Sequence, residues 1–279
     1  MSTSLLKFIN RRFPLPIHPF NLSNSGEMTY GEWQYQRGED TIRFFLDFTD
    51  TAEMFADKIV LDVGCGAGGK TLYYAAQGVK RIYGMDVVER YADESAALAQ
   101  KLALADKFEF CLRDAADTGF AEESVDCIIM NDAMEHVDDP EGVLAECRRI
   151  LKPGGRLYVN FPPYNHPFGA HLSDVIGIPW VHCFFTERTL IASYKELVAD
   201  KPDAADRVSF RISKHPDGRE YFSYINKMTL HRFKRISAAS GLKAVYYKEV
   251  PLRAQFAWAA KVPLWREWLV KMAVCVLEK

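Results

Sequence analysis

Residues 59–70, IVLDVGCGAGGK, constrain the fold of this chain more than any other stretch. Ile59, Val60 and Leu61 form an apolar run that ends in the carboxylate of Asp62, and Gly64, Gly66, Gly68 and Gly69 follow as a turn before a helix-forming segment at Lys70. That order reads as a buried parallel strand, a tight loop and a helix N-terminus. Glycine lets the loop backbone take positive φ and lets a ligand approach without meeting a Cβ. The stretch predicts an α/β fold that holds a nucleotide-like cofactor.

Two cofactor classes fit the loop. Gly64, Gly66 and Gly69 satisfy G-x-G-x-x-G, with Asp86 about 20 residues on, as the dinucleotide fingerprint requires. The loop also reads as acidic-x-G-x-G-x-G through Asp62, Gly64, Gly66 and Gly68. A pyrophosphate would be repelled by Asp62, whereas a cofactor with a sulfonium and an ammonium group would be attracted to it. In this second form the chain resembles the class I S-adenosylmethionine-dependent methyltransferases. Under either reading, residues 81–86 are a second strand whose terminal Asp86 can accept from two vicinal ribose hydroxyls. Met85 and Val87 would flank the ribose or adenine. The competing role for Asp86 is a solvated cap on the next helix, expected over residues 88–105.

Bulk properties exclude several classes. A net charge of −2 gives no reason to expect a nucleic-acid partner. The six cysteines, at 65, 111, 127, 147, 183 and 275, show no C-x-x-C pairing and read as reduced thiols. No apolar run reaches the ~18 residues of a membrane span or makes a secretory leader. A cytoplasmic protein is expected.

The resemblance assigns further residues. After a third strand at 108–112, an acid and the next backbone N–H commonly read adenine in this family, which implies Asp114 and Ala115, with Asp117 as competitor. Residues 124–131 are nearly continuous in apolar character, as a central parallel strand should be. In the family the residue closing that strand meets the cofactor through its backbone, which implies Asn131 or Asp132. The sequence Glu135-His136-Val137 resembles the EHV element of ubiquinone and menaquinone methyltransferases. His136 would then lie near the methyl end of the cleft, where an ordinary pKa of about 6.5 suits a general base. Its rival role is to fix the loop by hydrogen bonding. A Lys-Pro-Gly-Gly turn before an apolar strand at 156–161 is a second shared element, which dinucleotide dehydrogenases do not require.

This resemblance covers residues 55–161. It implies a Rossmann-like, doubly wound, seven-stranded and mostly parallel sheet with an antiparallel last strand, with S-adenosylmethionine as cofactor. Asp62, Gly64, Cys65 and Gly66 become loop contacts. A helix before the first strand often closes over the cofactor in the family, which makes Tyr30, Trp33, Tyr35 and Arg37 lid candidates against the alternative of plain core packing.

Residues 162–225 interrupt the strand–helix alternation. The segment FPPYNHPFGAHLSDVIGIPWVHCFF is too apolar for a solvated loop and too irregular for one helix. It reads as a cap over an acceptor site, with Tyr164, His166, His171, Trp180 and His182 as pocket candidates and His166 and His171 as further catalytic candidates. Spacings of five and eleven between the histidines match no helical i, i+4 pair, and no H-E-x-x-H occurs, so no metal is expected. Residues 200–218 look like a polar excursion.

Four regions follow: an N-terminal extension with the lid helix (1–50), the cofactor core (51–161), the cap (162–225) and a C-terminal completion of the sheet with a helical insertion (226–279). From Leu242 onward there are seven Lys and Arg against three Glu, and Trp258, Trp265 and Trp268 stand among them. This is the composition of an interfacial membrane helix, but also of a hairpin packed on the sheet edge or a homodimer interface. The expected reaction is methyl transfer to a small, apolar or aromatic acceptor, oxygen first. The rival classes are a membrane-associated lipid or quinone methyltransferase acting at carbon or oxygen, and a non-catalytic cofactor-binding protein.

Overall fold

Strands that are apolar on both faces are stable only between two layers of helix, and the centre of this chain is built so. The structure is a computed structural model that describes residues 2–16, 18, 21, 28–258 and 262–279. β1 (Ile59–Val63) pairs in parallel with β2 (Arg81–Asp86) on one side and β4 (Val125–Asn131) on the other. β3 (Phe108–Leu112) extends the sheet beyond β2, and β5 (Leu151–Phe161) beyond β4. A separate hairpin, β6 (Ile212–Lys214) with β7 (Glu220–Phe222), lies in the cap region. β8 (Lys243–Pro251) and β9 (Val270–Glu278) complete the main sheet in the order β3-β2-β1-β4-β5-β9-β8. β9 runs antiparallel to both neighbours, as expected for the last strand.

Period-two alternation sends the two faces of each strand into different cores. Leu61, Ile128 and Met130 pack with Val143, Leu144, Phe233 and Ile236, whereas Val60, Cys127 and Ile129 pack with Phe55, Leu72, Tyr74 and Leu98. Strand order reverses between β1 and β4, and ligands bind at such switch points, outside the carboxyl ends of the strands.

The helices follow from local signals. α1 (Thr3–Asn10) begins at Ser2, whose hydroxyl accepts from Leu5 N–H at 3.3 Å. The prolines and arginines of the first 25 residues lead the sequence to predict no helix there. They all fall after Asn10, so this expectation is corrected. Of the proline-rich run, Ile17, Pro19 and Phe20 lie outside the described residues. The lid segment forms two short helices rather than one, α2 (Tyr30–Gln36) with a Thr29–Glu32 capping box and α3 (Gly38–Ile42). α4 (Thr51–Phe55) leads into β1, α5 (Gly69–Ala75) leaves the glycine loop and α6 (Arg90–Lys101) precedes β3. α7 (Pro140–Ile150) has Pro at its first position and an Asp139 cap that accepts from Gly142 N–H at 2.9 Å.

The cap carries α8 (Val181–Phe184), α9 (Glu187–Val198) and α10 (Ala204–Arg211) around an apolar cluster of its own that takes in Leu6 of α1. The predicted polar excursion is therefore folded. Arg207 and Arg211 are buried and pair with the buried Asp174 at 3.0 and 3.3 Å. α11 (Leu230–Ala239) and α12 (Pro263–Leu269) flank β8, and Glu267 of α12 accepts from the N–H groups of Leu230 and His231 at the start of α11.

Candidate active site

The carboxyl ends of β1, β2 and β4 meet at the glycine loop. Gly64, Gly66 and Gly68 all take positive φ, at 73°, 54° and 77°. The N–H groups of Gly64 and Cys65 donate to the Met85 carbonyl at 2.9 and 3.1 Å. Gly66 N–H donates to Asp86 Oδ2 at 2.9 Å, and Val88 N–H to Asp86 Oδ1 at 3.0 Å. Each carboxylate oxygen keeps free lone-pair capacity, so this geometry orients Asp86 for further donors. A Cβ placed on Gly66 would meet nothing nearer than Tyr30 Cε1 at 3.9 Å. The space between loop and ring is a cradle that a side chain would fill.

Asp62 is wholly buried. Its Oδ2 accepts from the Thr71 hydroxyl, and its Oδ1 has no hydrogen-bond partner. Burial raises its pKa to about 6, against the opposing pull of Lys70 and the Thr71 hydrogen bond. Lys70 is itself buried and donates to the Asn131 carbonyl at 3.0 Å. Tyr30 roofs the loop, stacked on Trp33 at 6.2 Å between ring centres, and its hydroxyl accepts from Gln34 at 2.8 Å. Burial and the neighbouring Tyr91, Asp132 and Asp86 raise the Tyr30 pKa.

Several candidates take other places. Met85 is packed in the core, Val87 is exposed, and the Cys65 thiol is buried with its pKa raised by desolvation, so only the backbones of Met85 and Cys65 serve the loop. The Arg37 guanidinium lies over the Trp33 ring and pairs with Asp40 at 2.9 Å. Asp114 is exposed and accepts from Ala116 N–H at 2.7 Å, and Ala115 is buried beside it. Asn131 is buried in a network: its Nδ2 donates to the Tyr74 hydroxyl and its Oδ1 accepts from Asn160, both at 2.6 Å. Asp132, at φ 50°, is exposed, and the protein crowded around it raises its pKa against the pull of Lys70 and Lys271.

Beyond Asp132 the chain turns the EHV element toward the cap. Glu135 is buried, and its Oε1 lies 3.9 Å from both His136 Nε2 and His171 Nε2. His136 Nδ1 stands 2.7 Å from the Tyr224 carbonyl, so Nδ1 carries the proton and Nε2 is the acceptor. Burial lowers the pKa of His136, despite that bond, and lowers His171 further. The two rings meet edge to face at 4.9 Å. Asn226 pins the turn by donating to the carbonyls of Met134 and Val137, each at 2.8 Å.

The other cap candidates form a second group. Tyr164 and His182 lie 4.8 Å apart between ring centres and line a small depression with Phe185, Leu190 and Phe222. His166 Nδ1 accepts from Phe168 N–H, and burial lowers its pKa to about 4. Trp180 donates from its indole to the Asn165 carbonyl at 3.1 Å and so staples the loop. Lys70, Glu135 and Tyr224 are the residues of this centre that sequence reasoning did not single out. Tyr224 carried no signal, since its backbone carbonyl holds His136 and its hydroxyl bonds to main-chain carbonyls remote in sequence.

Sheet order, glycine loop and carboxylate-tipped second strand define a class I methyltransferase fold. Residues 61–159 match the family described as "Methyltransferase domain", and the chain carries a domain of that kind, whose cofactor is S-adenosylmethionine. It is 32% identical over 144 residues to the chloroplastic tocopherol O-methyltransferase of Arabidopsis thaliana, covering 52% of this chain and 40% of that one. It is 34% identical over 139 residues to a ubiquinone biosynthesis O-methyltransferase of Chromobacterium violaceum, covering 49% and 57%. The match thus spans about half the length of such relatives. Among solved structures, the [4+2]-cyclase SpnF superposes with a TM-score of 0.55 at 16% identity, over 89% of this chain and 83% of that one. A methyltransferase of Methanosarcina mazei gives 0.52 at 19%, over 85% and 96%.

The site fits this cofactor. The unpartnered Asp62 oxygen can face a cation, Asp86 has acceptor capacity left, and the buried Lys70 is tied to the Asn131 carbonyl among three carboxylates, Asp62, Asp86 and Asp132, that outnumber it.

Proposed function

We propose that this chain transfers the methyl group of S-adenosylmethionine to a hydroxyl of a small apolar or aromatic acceptor. One observation carries the reading: two neutral imidazoles, His136 and His171, face the buried Glu135 on the strand edge that also holds the glycine loop. When bound, the cofactor supplies a methyl group made electrophilic by its sulfonium. The protein's part is to bind, orient and accept a proton. Asp86 holds the ribose, Tyr30 closes the cradle, and the backbone at Asn131 and Asp132 borders the methyl end. His136 Nε2, its tautomer held by the Tyr224 carbonyl, takes the acceptor proton. Asp114 and Ala115 border the adenine, and Tyr164, His166 and His182 line the acceptor side. The tocopherol and ubiquinone O-methyltransferases among the relatives support oxygen and an aromatic ring. The fold alone does not carry the reaction, since a structure described as a cyclase shares it.

The test is methyl-labelled cofactor offered with a panel of phenols, catechols and quinols beside matched amines, with products located by mass spectrometry. Label in phenolic ethers supports the reading; label only in amines or carbon products overturns it. No transfer to any acceptor, with cofactor bound, would mark a non-catalytic binding protein.

A membrane-associated version has its own observation. Trp258, Trp265 and Trp268 are exposed at 67%, 49% and 39% near Arg253 and Lys271, although Glu267 and Arg266 tie α12 back to the fold. Residues 259–261 of that segment lie outside the described residues. Among the described residues no helix is long and apolar enough to cross a membrane. Co-sedimentation with anionic liposomes that is lost in Trp265→Ser/Trp268→Ser would support this version, and no co-sedimentation would remove it.

A further inference from the structure

Glu135 has a buried carboxyl group in which neither oxygen has a hydrogen-bond partner. Its side chain is 4% exposed. Leaving an unpaired charged carboxylate in such a place costs several kcal/mol. Its Oε1 is 3.9 Å from two imidazole Nε2 atoms, one from the residue after it and one from the cap. Glu135, His136 and His171 each present one ligand atom, and the three lie within 4.8 Å of one another.

Bonds of about 2.0–2.2 Å to one ion at tetrahedral angles would set ligand atoms roughly 3.3–3.5 Å apart. The two 3.9 Å separations exceed that by about half an ångström, and the third is bounded only by 4.8 Å, so binding would draw the two rings in toward Glu135. The surroundings are those of a ligand set. His136 donates its Nδ1 proton to the Tyr224 carbonyl, which leaves Nε2 as the free donor atom, the usual outer-shell arrangement for a metal-binding histidine. The Tyr224 hydroxyl shares its proton between the Ala170 and His171 carbonyls, so the residue that holds the His136 ring also anchors the backbone that carries His171. His171 is held at φ 52°, a strained conformation for a residue with a Cβ.

We propose that Glu135, His136 and His171 form a three-ligand site for a first-row divalent transition cation. Two nitrogens and one oxygen suit Zn2+, Fe2+ or Co2+ better than Mg2+ or Ca2+, which prefer all-oxygen sets. The linear spacing of histidines 166, 171 and 182 points away from a metal because the set instead combines one cap histidine with a distant adjacent pair. The inference goes beyond methyl transfer and does not depend on it. With a cation in place His136 Nε2 would be a ligand and not a base; a hydroxyl bound to the cation would be made more acidic and would lose its proton to solvent.

The experiment is titration of untagged, chelator-stripped protein with Co2+, followed by visible absorption and by calorimetry. Ligand-field bands at one Co2+ per chain are expected. Glu135→Gln and His171→Gln should each weaken binding at least tenfold, while His215→Gln, in the β6–β7 hairpin region, leaves it unchanged. Circular dichroism reports whether the variants fold. If they do not, long-range 1H–15N spectra of the wild type with Zn2+ decide, since His136 must bind through Nε2 with Nδ1 protonated. Absence of bands up to 1:1 occupancy at ~1 mM, binding that survives both folded variants, or unshifted Nε2 signals would overturn the site.

Discussion

The backbone N–H of Gly66 donates to the carboxylate of Asp86 at 2.9 Å, joining the loop after β1 to the tip of β2. One side chain therefore shapes the loop and presents the remaining acceptor capacity to the cradle under Tyr30. Asp86→Ala should weaken binding of the demethylated cofactor by more than tenfold. Two ribose hydroxyls lose a charged acceptor, at roughly 1.5–3 kcal/mol each. Calorimetry showing unchanged affinity in a folded variant would refute the ribose assignment.

Gly69 does a different job from the loop glycines. A Cβ there would stand 2.0 Å from the Gly31 carbonyl oxygen and 2.6 Å from Gln34 Cβ, so α2 rests directly on the start of α5. Gly69→Ala must push the lid helix away. Overpacking of this kind costs about 1–3 kcal/mol. The expected outcome is a melting temperature several degrees lower together with weaker cofactor binding, because Tyr30 rides on the same helix. A variant with wild-type melting and affinity would show that α2 does not form the roof.

What could be read from sequence was whatever depends on neighbours in the chain. The run into Asp62, the glycine turn, Asp86 at the next strand end and the apolar 125–131 stretch each bear their pattern within a few residues. The antiparallel β9 was expected from the family resemblance alone, since nothing in its apolar run sets the direction of the strand. The surroundings of Met85 and Arg37 could not be read without a third dimension: one side chain is buried in the core, the other pairs with Asp40. α1 was missed because its apolar face is completed by the cap, through Leu6. Glu135 and His171 are far apart in sequence, and His171 sits on irregular backbone, so no period could bring them together.

His136 and His171 are neutral at pH 7, since burial lowers both from about 6.5. A base must be unprotonated to act, so acid is what disables it. In the presence of chelator, kcat for a phenolic acceptor should stay level as pH falls from 8 to 6.5 and decline only below that. His136→Gln should lower kcat by a factor on the order of 10²–10⁴ and remove this acid limb. An acid limb centred above pH 7, or one that persists in the variant, would exclude His136 as the base.

Asp62 links cofactor binding to protons. Its folded pKa of about 6 lies above the ordinary 3.8, so its contribution to stability is full at low pH and is lost as pH rises through 6. At pH 7 the ionised, half-partnered carboxylate opposes folding by up to about 3 kcal/mol, taking ~1.4 kcal/mol per pKa unit. A cationic ligand beside Oδ1 favours the ionised form and pulls the pKa back down. Binding at pH 6 should therefore release a fraction of a proton, visible as a dependence of the calorimetric enthalpy on buffer ionisation heat. Affinity should rise between pH 5 and 7 and then level off. Asp62→Asn should bind more weakly, lose this pH dependence and gain stability at pH 7, because it removes the buried charge. If the wild type takes up protons on binding, or if Asn at this position leaves affinity intact, then Asp62 does not face the cation and the electrostatic basis for preferring a sulfonium over a pyrophosphate fails.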